Sequence, residues 1–326
     1  MSYRRFTWGA AVALGCAVAA HAAPPDWAKV PAKTVNVFYP GVASLEWVLS
    51  THDHGGGARA IRQGETCASC HDSETGEFAR KIVEGKKAEP DIEMAKGRAA
   101  SIPVSVQAAH DGTNLYMRFQ WKPAGKSPKK IDEKSAAKIA VMLDPGKVEY
   151  AGVGGCWAAC HDDLRSMPDV SADAPKHPRA KELEIRANGP TKYIRESRTE
   201  IATAKPRGGW DKLKSAADYE ALMKDGKFFE MWQWRSGDSI RMGTVAEARR
   251  MKASKELASG KLDNGTYTVV FTRALAGGPG MHELAAGKTY NIGFAIHDEH
   301  ADLRYHQVSL GYKLGIDAKA DFTASK

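Results

Sequence analysis

Short stretches in which apolar and polar residues alternate recur through the C-terminal two thirds of the chain. The stretch IPVSVQAAHDGTNLYMRFQWKP alternates on both sides of the polar turn Asp111–Asn114 and so predicts a β-hairpin. Further strands are predicted for KIAVMLD (138–144), FFEMWQWRS (228–236), GTYTVVFTRAL (265–275), TYNIGFAIHD (289–298) and YHQVSLGYKL (305–314). Many short strands with Gly-rich or Pro-rich connections are typical of a sandwich or barrel. We therefore expect a mainly β fold, with an antiparallel β-sandwich over residues 101–320.

The region before this sandwich is patterned differently. Residues 24–99 contain Pro and Gly clusters, such as PPDWAKVPAK and HDHGGGARA, and show no strong periodicity. A segment of this kind often needs a cofactor to hold it, so we expect a small, irregular N-terminal segment over residues 23–100. Helical periodicity is limited to residues 215–226 and 244–257, and the polar residues 165–214 predict an extended loop.

The first 22 residues, MSYRRFTWGAAVALGCAVAAHA, have the pattern of a secretory signal peptide. Arg4 and Arg5 precede an apolar run that is shorter than the roughly 20 residues needed to span a bilayer, and a small-x-small cleavage site ends at Ala22. An uncleaved anchor, a lipidated Cys16 and a twin-arginine signal are the alternatives. We expect a periplasmic protein cleaved near Ala22, without stable membrane insertion afterwards, because no later apolar run approaches membrane-spanning length.

The four cysteines that remain after cleavage lie in two similar motifs. The first, Cys67-Ala68-Ser69-Cys70-His71, is C-x-x-C-H, the attachment pattern of c-type haem. Its two thiols add to the two vinyl groups of the porphyrin, and the histidine that follows binds the iron from the proximal side. A zinc site, a redox dithiol and a disulfide are the competing interpretations. The export signal favours haem over a cytosolic redox or zinc role.

The second motif, Cys156-Trp157-Ala158-Ala159-Cys160-His161, has one residue more between its cysteines. It keeps the directly following histidine, and an aspartate comes next in both motifs, Asp72 and Asp162. Structural cysteines, reduced or paired in a disulfide, are the alternative. We interpret the motif as a variant haem site with His161 as its proximal ligand, which gives two covalently bound haem c groups.

Each haem iron of an electron carrier usually takes a sixth ligand, a nitrogen or a thioether. His54 begins HGGG, thirteen residues before Cys67, and is the candidate distal ligand of the first haem, with His52 as the runner-up. His306, near the end of a predicted strand and facing the expected core, is the candidate for the second haem. A solvated loop histidine or a hydrogen-bonded core histidine is the alternative for each position.

Residues from about 101 to 315 resemble the haem-binding domain of the γ subunit of ethylbenzene dehydrogenase and of related dimethylsulfide dehydrogenases. The stretches that carry the resemblance are VSVQAAHDGTNLYMRFQWKP, AVMLDPG, FFEMWQWRSGD and NIGFAIHDEHADLRYHQVSLGY. The resemblance implies a β-sandwich that holds a haem b between a methionine and a lysine. It also implies similarity to a branch of exported dihaem c-type cytochromes (cytochrome c-552-like) with an extra N-terminal haem segment. His161 stands where the methionine-bearing loop lies and His306 where the lysine-bearing strand lies, which suggests bis-histidine ligation.

The leading function hypothesis is a periplasmic dihaem cytochrome c that carries electrons and is not an enzyme, because two irons with both axial positions filled have no open site for a substrate. The resemblance suggests a molybdenum oxidoreductase of the dimethyl sulfoxide reductase type, or a membrane quinol-linked cytochrome, as the redox partner. The alternative is a haem enzyme with one open iron that reduces a small oxyanion or peroxide. A third hypothesis is a binding module whose cysteines hold zinc or form disulfides.

The net charge of the chain does little to distinguish these function hypotheses. The formal charge is +8, and cleavage removes two arginines and no acidic residue, which leaves +6. This value gives weak support for nucleic-acid binding, and export argues against it, so we expect no nucleic-acid partner. Six lysines on the connection 122–138 either steer an acidic partner or form a solvated loop.

Overall fold

The computed structural model describes residues 25–41, 45–87, 92–124, 130–158, 160–161, 191–192, 194–201, 203, 214–237, 240–245, 252–254, 258–302 and 305–326. The predicted signal peptide, residues 1–22, lies outside the described residues, as does most of the predicted loop 165–214. Across the ranges described, no helix combines the length and the apolar character that a membrane crossing requires.

Strands supply most of the regular structure. They are β1 Lys33–Phe38, β2 Ser101–His110, β3 Asn114–Trp121, β4 Lys138–Asp144, β5 Cys160–His161, β6 Thr191–Lys192, β7 Phe229–Arg235, β8 Ile240–Val245, β9 Lys252–Ser254, β10 Ala258–Asp263, β11 Thr266–Ala274, β12 Lys288–His297, β13 Gln307–Val308, β14 Tyr312–Ile316 and β15 Phe322–Ala324. The helices are α1 Leu45–Val48, α2 Gly55–Arg62, α3 Cys67–His71, α4 Thr75–Val83, α5 Ile92–Ala95, α6 Ala151–Gly154 and α7 Ala216–Lys224.

The strands form one large sheet with the order β10-β11-β3-β2-β1-β13-β12-β4-β7-β8-β9, to which β14 is added at β12 and β15 at β14. Neighbouring strands along this order are antiparallel, whereas β14 and β15 are parallel. The sheet folds over so that its inner faces meet: Phe119 of β3 lies edge-on to Phe294 of β12, with ring centroids 5.3 Å apart. The prediction of a mainly β, antiparallel sandwich is confirmed.

Side-chain alternation along β12 separates two apolar regions. Ile292, Phe294 and Ile296 point into the core between the two layers, together with buried residues of β2, β3, β4, β7 and β11. Gly293 and Ala295 take the intervening positions, so they lie on the opposite, outer face of the sheet. That outer face is also buried, and Ala295 belongs to a second apolar cluster. The N-terminal helices and the segment around α6 pack against this outer face.

The second apolar cluster, called the outer cluster below, joins the sheet to the two cysteine motifs. Its sheet members include Phe38, Ala140, Met142, Ala295 and Val308, and its remaining members include Ile82, Cys67 and Cys156. Because these side chains are buried between the sheet and the helices, the outer cluster positions both motifs relative to the sandwich.

A buried ion pair lies apart from the outer cluster, between β7 and β11. Arg273 donates to both carboxylate oxygens of Glu230 at 2.7 Å, and the Trp232 indole donates to the same carboxylate at 2.6 Å. The His282 backbone N–H donates to Glu230 as well, at 2.8 Å. The charges are thus paired bidentately, the geometry in which a buried ion pair is tolerated.

Several of the predicted strands and helices can be compared directly with the structure. The predicted hairpin corresponds to β2 and β3, the helix predicted over 215–226 contains α7, and the strand predicted over 138–144 matches β4. The helix predicted over 244–257 is wrong, because Val245 ends β8 and Lys252–Ser254 form β9. Val245 pairs with Phe229 of β7, so strand pairing outweighs the local helical periodicity.

Candidate cofactor sites

The first motif forms a short helix whose spacing brings its reactive side chains together. In α3, Cys67 and Cys70 are three residues apart and His71 is four residues after Cys67, so the three side chains occupy one helical face. Thr66 caps the helix by accepting a hydrogen bond from the Ser69 backbone N–H at 3.2 Å. Cys67 is buried and Cys70 is exposed. The motif therefore has one cysteine in the outer cluster and one at the surface.

The structure places His54 opposite His71. Their ring centroids are 6.4 Å apart and their planes differ by 21°. A metal–imidazole nitrogen bond is about 2 Å long and the ring centroid lies roughly 1 Å further on, so two imidazoles on opposite sides of one iron have centroids roughly 6 Å apart. The separation of these two rings fits an iron between them.

A small cavity of about 30 Å³ adjoins both imidazoles. Its lining includes Cys67 and Cys70 and the apolar residues Val48, Ala60 and Ile61. The cavity thus combines two thiols, two imidazoles and an apolar surface, which is the set of groups that a covalently bound haem requires.

Hydrogen bonding fixes which nitrogen of His54 carries the proton. Nδ1 of His54 lies 2.8 Å from the carbonyl oxygen of Val48. Because a carbonyl only accepts, Nδ1 is the donor, and Nε2 of the neutral ring keeps its lone pair for a metal. Nδ1 of His71 faces the Glu74 carboxylate at 3.7 Å, and the His71 side chain is 44% exposed.

The runner-up position, His52, lies away from this cavity. Its side chain is 90% exposed, and its Nδ1 lies 3.3 Å from Asp53 Oδ1. Hydrogen bonds from Ser50 and then from His52 lower the pKa of Asp53. The geometry therefore groups His54, and not His52, with Cys67, Cys70 and His71.

The electrostatics of Cys67 bear on the alternatives to haem. Burial, and secondarily the neighbouring Cys70, raises the pKa of the Cys67 thiol to about 11. Redox dithiols and zinc ligands act as thiolates and depend on a lowered pKa. In the part of the chain that the structure describes, no group of three or more His, Cys, Asp or Glu side chains is arranged to hold a metal ion. The raised pKa of Cys67 is opposite to the lowered pKa that a redox dithiol or a zinc thiolate requires.

The second motif begins on a segment pressed against the outer face of the sheet. Cys156 is buried and lies in a 3₁₀ turn, Gly155–Ala158, which directly follows α6. A Cβ on Gly293 of β12 would lie only 2.5 Å from the Cys156 backbone nitrogen, and a Cβ on Gly155 would lie 2.8 Å from the Gly311 backbone. Glycines on both surfaces thus allow the turn to reach the sheet.

The rest of the second motif is described by its backbone. Cys160 and His161 form β5, which pairs with Lys192 and Thr191 of β6. The side chains of Cys160 and His161 lie outside the described residues, so their roles in attachment and ligation stay predictions.

His306 lies just before β13 and is half-buried between the buried Tyr305 and Gln307. Its ring stacks on that of His297, with centroids 4.2 Å apart and planes at 24°. By alternation, His297 is on the same outer face of β12 as Gly293, and four residues of strand span about 13 Å. The structure therefore adds His297 as a second imidazole beside His306, on the face that the Cys156 turn contacts.

Three other histidines have structural hydrogen bonds. His110 Nε2 lies 2.9 Å from Asp317 Oδ1, and its Nδ1 accepts from Gly112 N–H at 3.1 Å. His282 Nε2 lies 2.9 Å from the Phe228 carbonyl oxygen. His300 Nδ1 lies 2.7 Å from the Asp132 carbonyl oxygen. These contacts account for the three side chains without a metal.

The two motifs adjoin one another. Cys67 and Cys156 are both buried in the outer cluster, and Ala68 and Val153 pack against it from the two motif segments. Burial, and then the charges of Asp72 and Asp321, raise the pKa of Tyr312 in β14 to about 12. The structure thus brings the two cysteine motifs to the same side of the sandwich.

Comparisons with known proteins agree with these observations. Residues 24–262 match the family described as ethylbenzene dehydrogenase. The chain is 43% identical over 323 residues to cytochrome c-552 of Stutzerimonas stutzeri, covering 98% of this chain and 96% of the relative. It is 33% identical over 293 residues to cytochrome c-551 of Rhodocyclus tenuis, covering 90% of this chain and 95% of the relative.

Among solved structures, a family 9 carbohydrate binding module from Caldicellulosiruptor kristjanssonii in complex with cellotriose has a TM-score of 0.28 at 8% identity. The match covers 64% of this chain and 65% of that chain. A likeness at this level supports no inference about ligand or function.

Proposed function

The chain belongs to the ethylbenzene dehydrogenase family, and from this membership and its cytochrome c relatives we propose that it is a c-type cytochrome, an electron carrier with two covalently attached haems. A haem iron supplies a one-electron couple, whose potential depends on its axial ligands and surroundings. The protein supplies attachment, axial nitrogens and a buried environment. No residue is assigned a catalytic role.

The observation that carries the proposal is the arrangement of the first motif. Cys67 and Cys70 attach the first haem, His71 is its proximal ligand and His54 its distal ligand. The 6.4 Å separation of the two imidazoles and the protonated Nδ1 of His54 support this assignment. A haem iron held by both imidazoles would have no open position for a substrate, which favours electron transfer over bond chemistry.

For the second haem we propose attachment through Cys156 and Cys160, with His161 proximal and His306 distal. The position of His306 on the outer face of the sandwich, near the sheet against which the Cys156 turn packs, supports this assignment. His297 would then support the ring of His306 by stacking, and it is the alternative distal ligand. The haem-enzyme alternative, reduction of a small oxyanion or peroxide, requires an open iron at this site.

The proposed setting is the periplasm, with cleavage near Ala22. We propose that the redox partner is a molybdenum oxidoreductase of the dimethyl sulfoxide reductase type or a membrane quinol-linked cytochrome. The exposure of Cys70 supports electron exchange at the protein surface, because a haem attached through Cys70 would have that side near solvent.

Intact mass and a pyridine haemochrome spectrum of the protein matured with the cytochrome c assembly system test the proposal. We expect the mass of two haems on the wild-type chain, and of one haem each on the Cys67→Ser/Cys70→Ser and Cys156→Ser/Cys160→Ser variants. A wild-type mass with only one haem contradicts a second covalent site. So does a Cys156→Ser/Cys160→Ser variant that carries as many haems as the wild type. A high-spin ferric spectrum that changes on adding cyanide would support the enzyme alternative instead.

A further inference from the structure

A glycine of α2 lies directly against the imidazole of His54. A Cβ added to Gly57 would lie 2.6 Å from Cε1 and 2.7 Å from Nε2 of the His54 ring. Non-bonded carbon and nitrogen atoms stay about 3.5 Å apart. A side chain at residue 57 and the observed ring position are therefore mutually exclusive. The same addition at Gly56 meets no atom within 4 Å.

The ring of His54 is held on other sides too. Its Nδ1 donates to the Val48 carbonyl at 2.8 Å, and the Trp47 ring lies with its centroid 4.9 Å away at 31°. The space between Val48, Trp47 and Gly57, called the His54 slot below, therefore defines one position for the imidazole.

The His54 slot is built by two helices that are tied together. Leu45 and Leu49, from α1 and the residue just after it, are buried against Ile61 of α2. Arg62 of α2 donates to the carbonyl oxygen of Leu49 and, at 3.3 Å, to that of Ala58. Because α1 and α2 are fixed by apolar packing and hydrogen bonds, the ring cannot easily regain its position by moving either helix.

We propose that Gly57 is the positioning residue of the first haem site, reserving the space in which His54 presents Nε2 towards His71. The proposal rests on the proposed function, in which His54 is the distal ligand. A methyl group at residue 57 pushes the imidazole out of the His54 slot and leaves the sixth iron position open. Gly57 is therefore needed because its lack of a side chain leaves room for the imidazole ring of His54.

The test compares Gly57→Ala with Gly56→Ala in the full-length, haem-loaded protein. Both positions lie in α2 with negative φ, and both changes gain the same helix propensity, so they are matched. The measurements are carbon monoxide bound per chain after reduction and the fraction of high-spin ferric haem. We expect Gly57→Ala to bind one more carbon monoxide per chain than the wild type, and Gly56→Ala to bind no more than the wild type. Added free imidazole should return the Gly57→Ala spectrum to low spin.

His54→Ala separates failure of this inference from failure of the proposed function. If His54→Ala gains one carbon monoxide per chain and Gly57→Ala does not, the positioning role is overturned and the ligand assignment stands. If His54→Ala gains none, the ligand assignment is overturned and the positioning role with it. An equal gain in Gly56→Ala also overturns the positioning role.

A double variant covers the case in which Gly57→Ala fails to mature. In the His54→Ala background no ring occupies the slot, so Gly57→Ala should mature with the same yield and haem content as His54→Ala alone. A loss of yield that persists in this background overturns the proposal, because the glycine would then be needed for something other than the imidazole.

Discussion

Cys67 and Cys156 are buried in the same apolar cluster on the outer face of the sandwich, at 7% and 2% exposure. One belongs to each cysteine motif, and each motif segment packs against that cluster. The two motif segments therefore share a surface of the sandwich.

For the two proposed haems, this proximity predicts that each would influence the potential of the other. At an effective dielectric constant of about 20, two unit charges would interact with about 1.4 kcal/mol, or about 60 mV for one electron, if they were roughly 12 Å apart. Removing the second haem with Cys156→Ser/Cys160→Ser should therefore shift the midpoint potential of the first by tens of millivolts. Potentiometric titration followed by optical absorption measures the shift. A potential that stays unchanged would mean that the haems do not interact.

Gly293→Ala should impair the second site selectively. A Cβ at this position would collide with the Cys156 backbone nitrogen, 2.5 Å away, and push the turn off β12. We expect a fall in covalent haem at the second motif with the first haem retained, measured by haem per chain and intact mass. Gly278→Ala is the control, because a Cβ there makes an ordinary 3.7 Å contact with Met281. Equal haem loss in both variants would rule out a local effect.

Glu230→Gln should destabilise the sandwich without altering the haem ligands. Arg273 is 1% exposed and loses its counter-charge in this variant. A buried charge left without its partner lowers the free energy of unfolding by about 3–5 kcal/mol. Urea denaturation should show the loss, while the haem spectra stay as in the wild type. The double variant Glu230→Gln/Arg273→Met removes both charges, keeps a side-chain oxygen at residue 230 to accept from Trp232 and His282, and should recover much of the stability. If the double variant is no more stable than the single one, an uncompensated charge is not the cause.

Asp132 should contribute to stability in a pH-dependent way. Burial raises the pKa of its carboxyl, but the hydrogen bond and charge of Lys138, together with the charge of Arg235, outweigh burial and lower the pKa from 3.8 to about 2. The folded state therefore binds this proton less readily than the unfolded state. The stabilisation is present above about pH 4 and is lost as the pH falls towards about 2.

Comparing the wild type with Asp132→Asn isolates this contribution from other carboxylates. The difference in urea midpoint between the two proteins should be largest above about pH 4 and should shrink as the pH falls towards about 2. A difference that stays constant over this range would mean that the carboxylate charge contributes nothing to stability.

Strands of the sandwich were predicted correctly where their own residues show alternation or a continuous apolar run. The alternation around Asp111–Asn114 and the apolar run 138–144 correspond to strands because both patterns are local. β1, Lys33–Phe38, was missed as part of the sheet, because KTVNVF has weak alternation and its partners lie far along the chain. The division of the chain at residue 100 stays a prediction.

For the candidate sites too, local motifs could be predicted from the sequence, whereas contacts between distant parts of the chain could not. The cysteine spacing identified Cys67, Cys70 and His71 as a group, since a short motif carries its geometry with it. His54 was selected for its glycines, and the structure places it opposite His71 with Gly57 against its ring. His297 was not selected, because alternation alone does not say which face of β12 receives the Cys156 turn. Strand pairing and packing decide that.

Phe38, the last residue of β1, is paired directly with Ser101, the first residue of β2. The described residues between them, including α1 to α5 and the first motif, lie outside the strands of the sheet, and the chain rejoins the sheet beside the position where it left. The first motif is therefore topologically an insertion into a β-hairpin, and the order of the strands does not depend on it. A haem held by the first motif would therefore be carried by an excursion of the chain between two paired strands, and not by a strand of the sandwich.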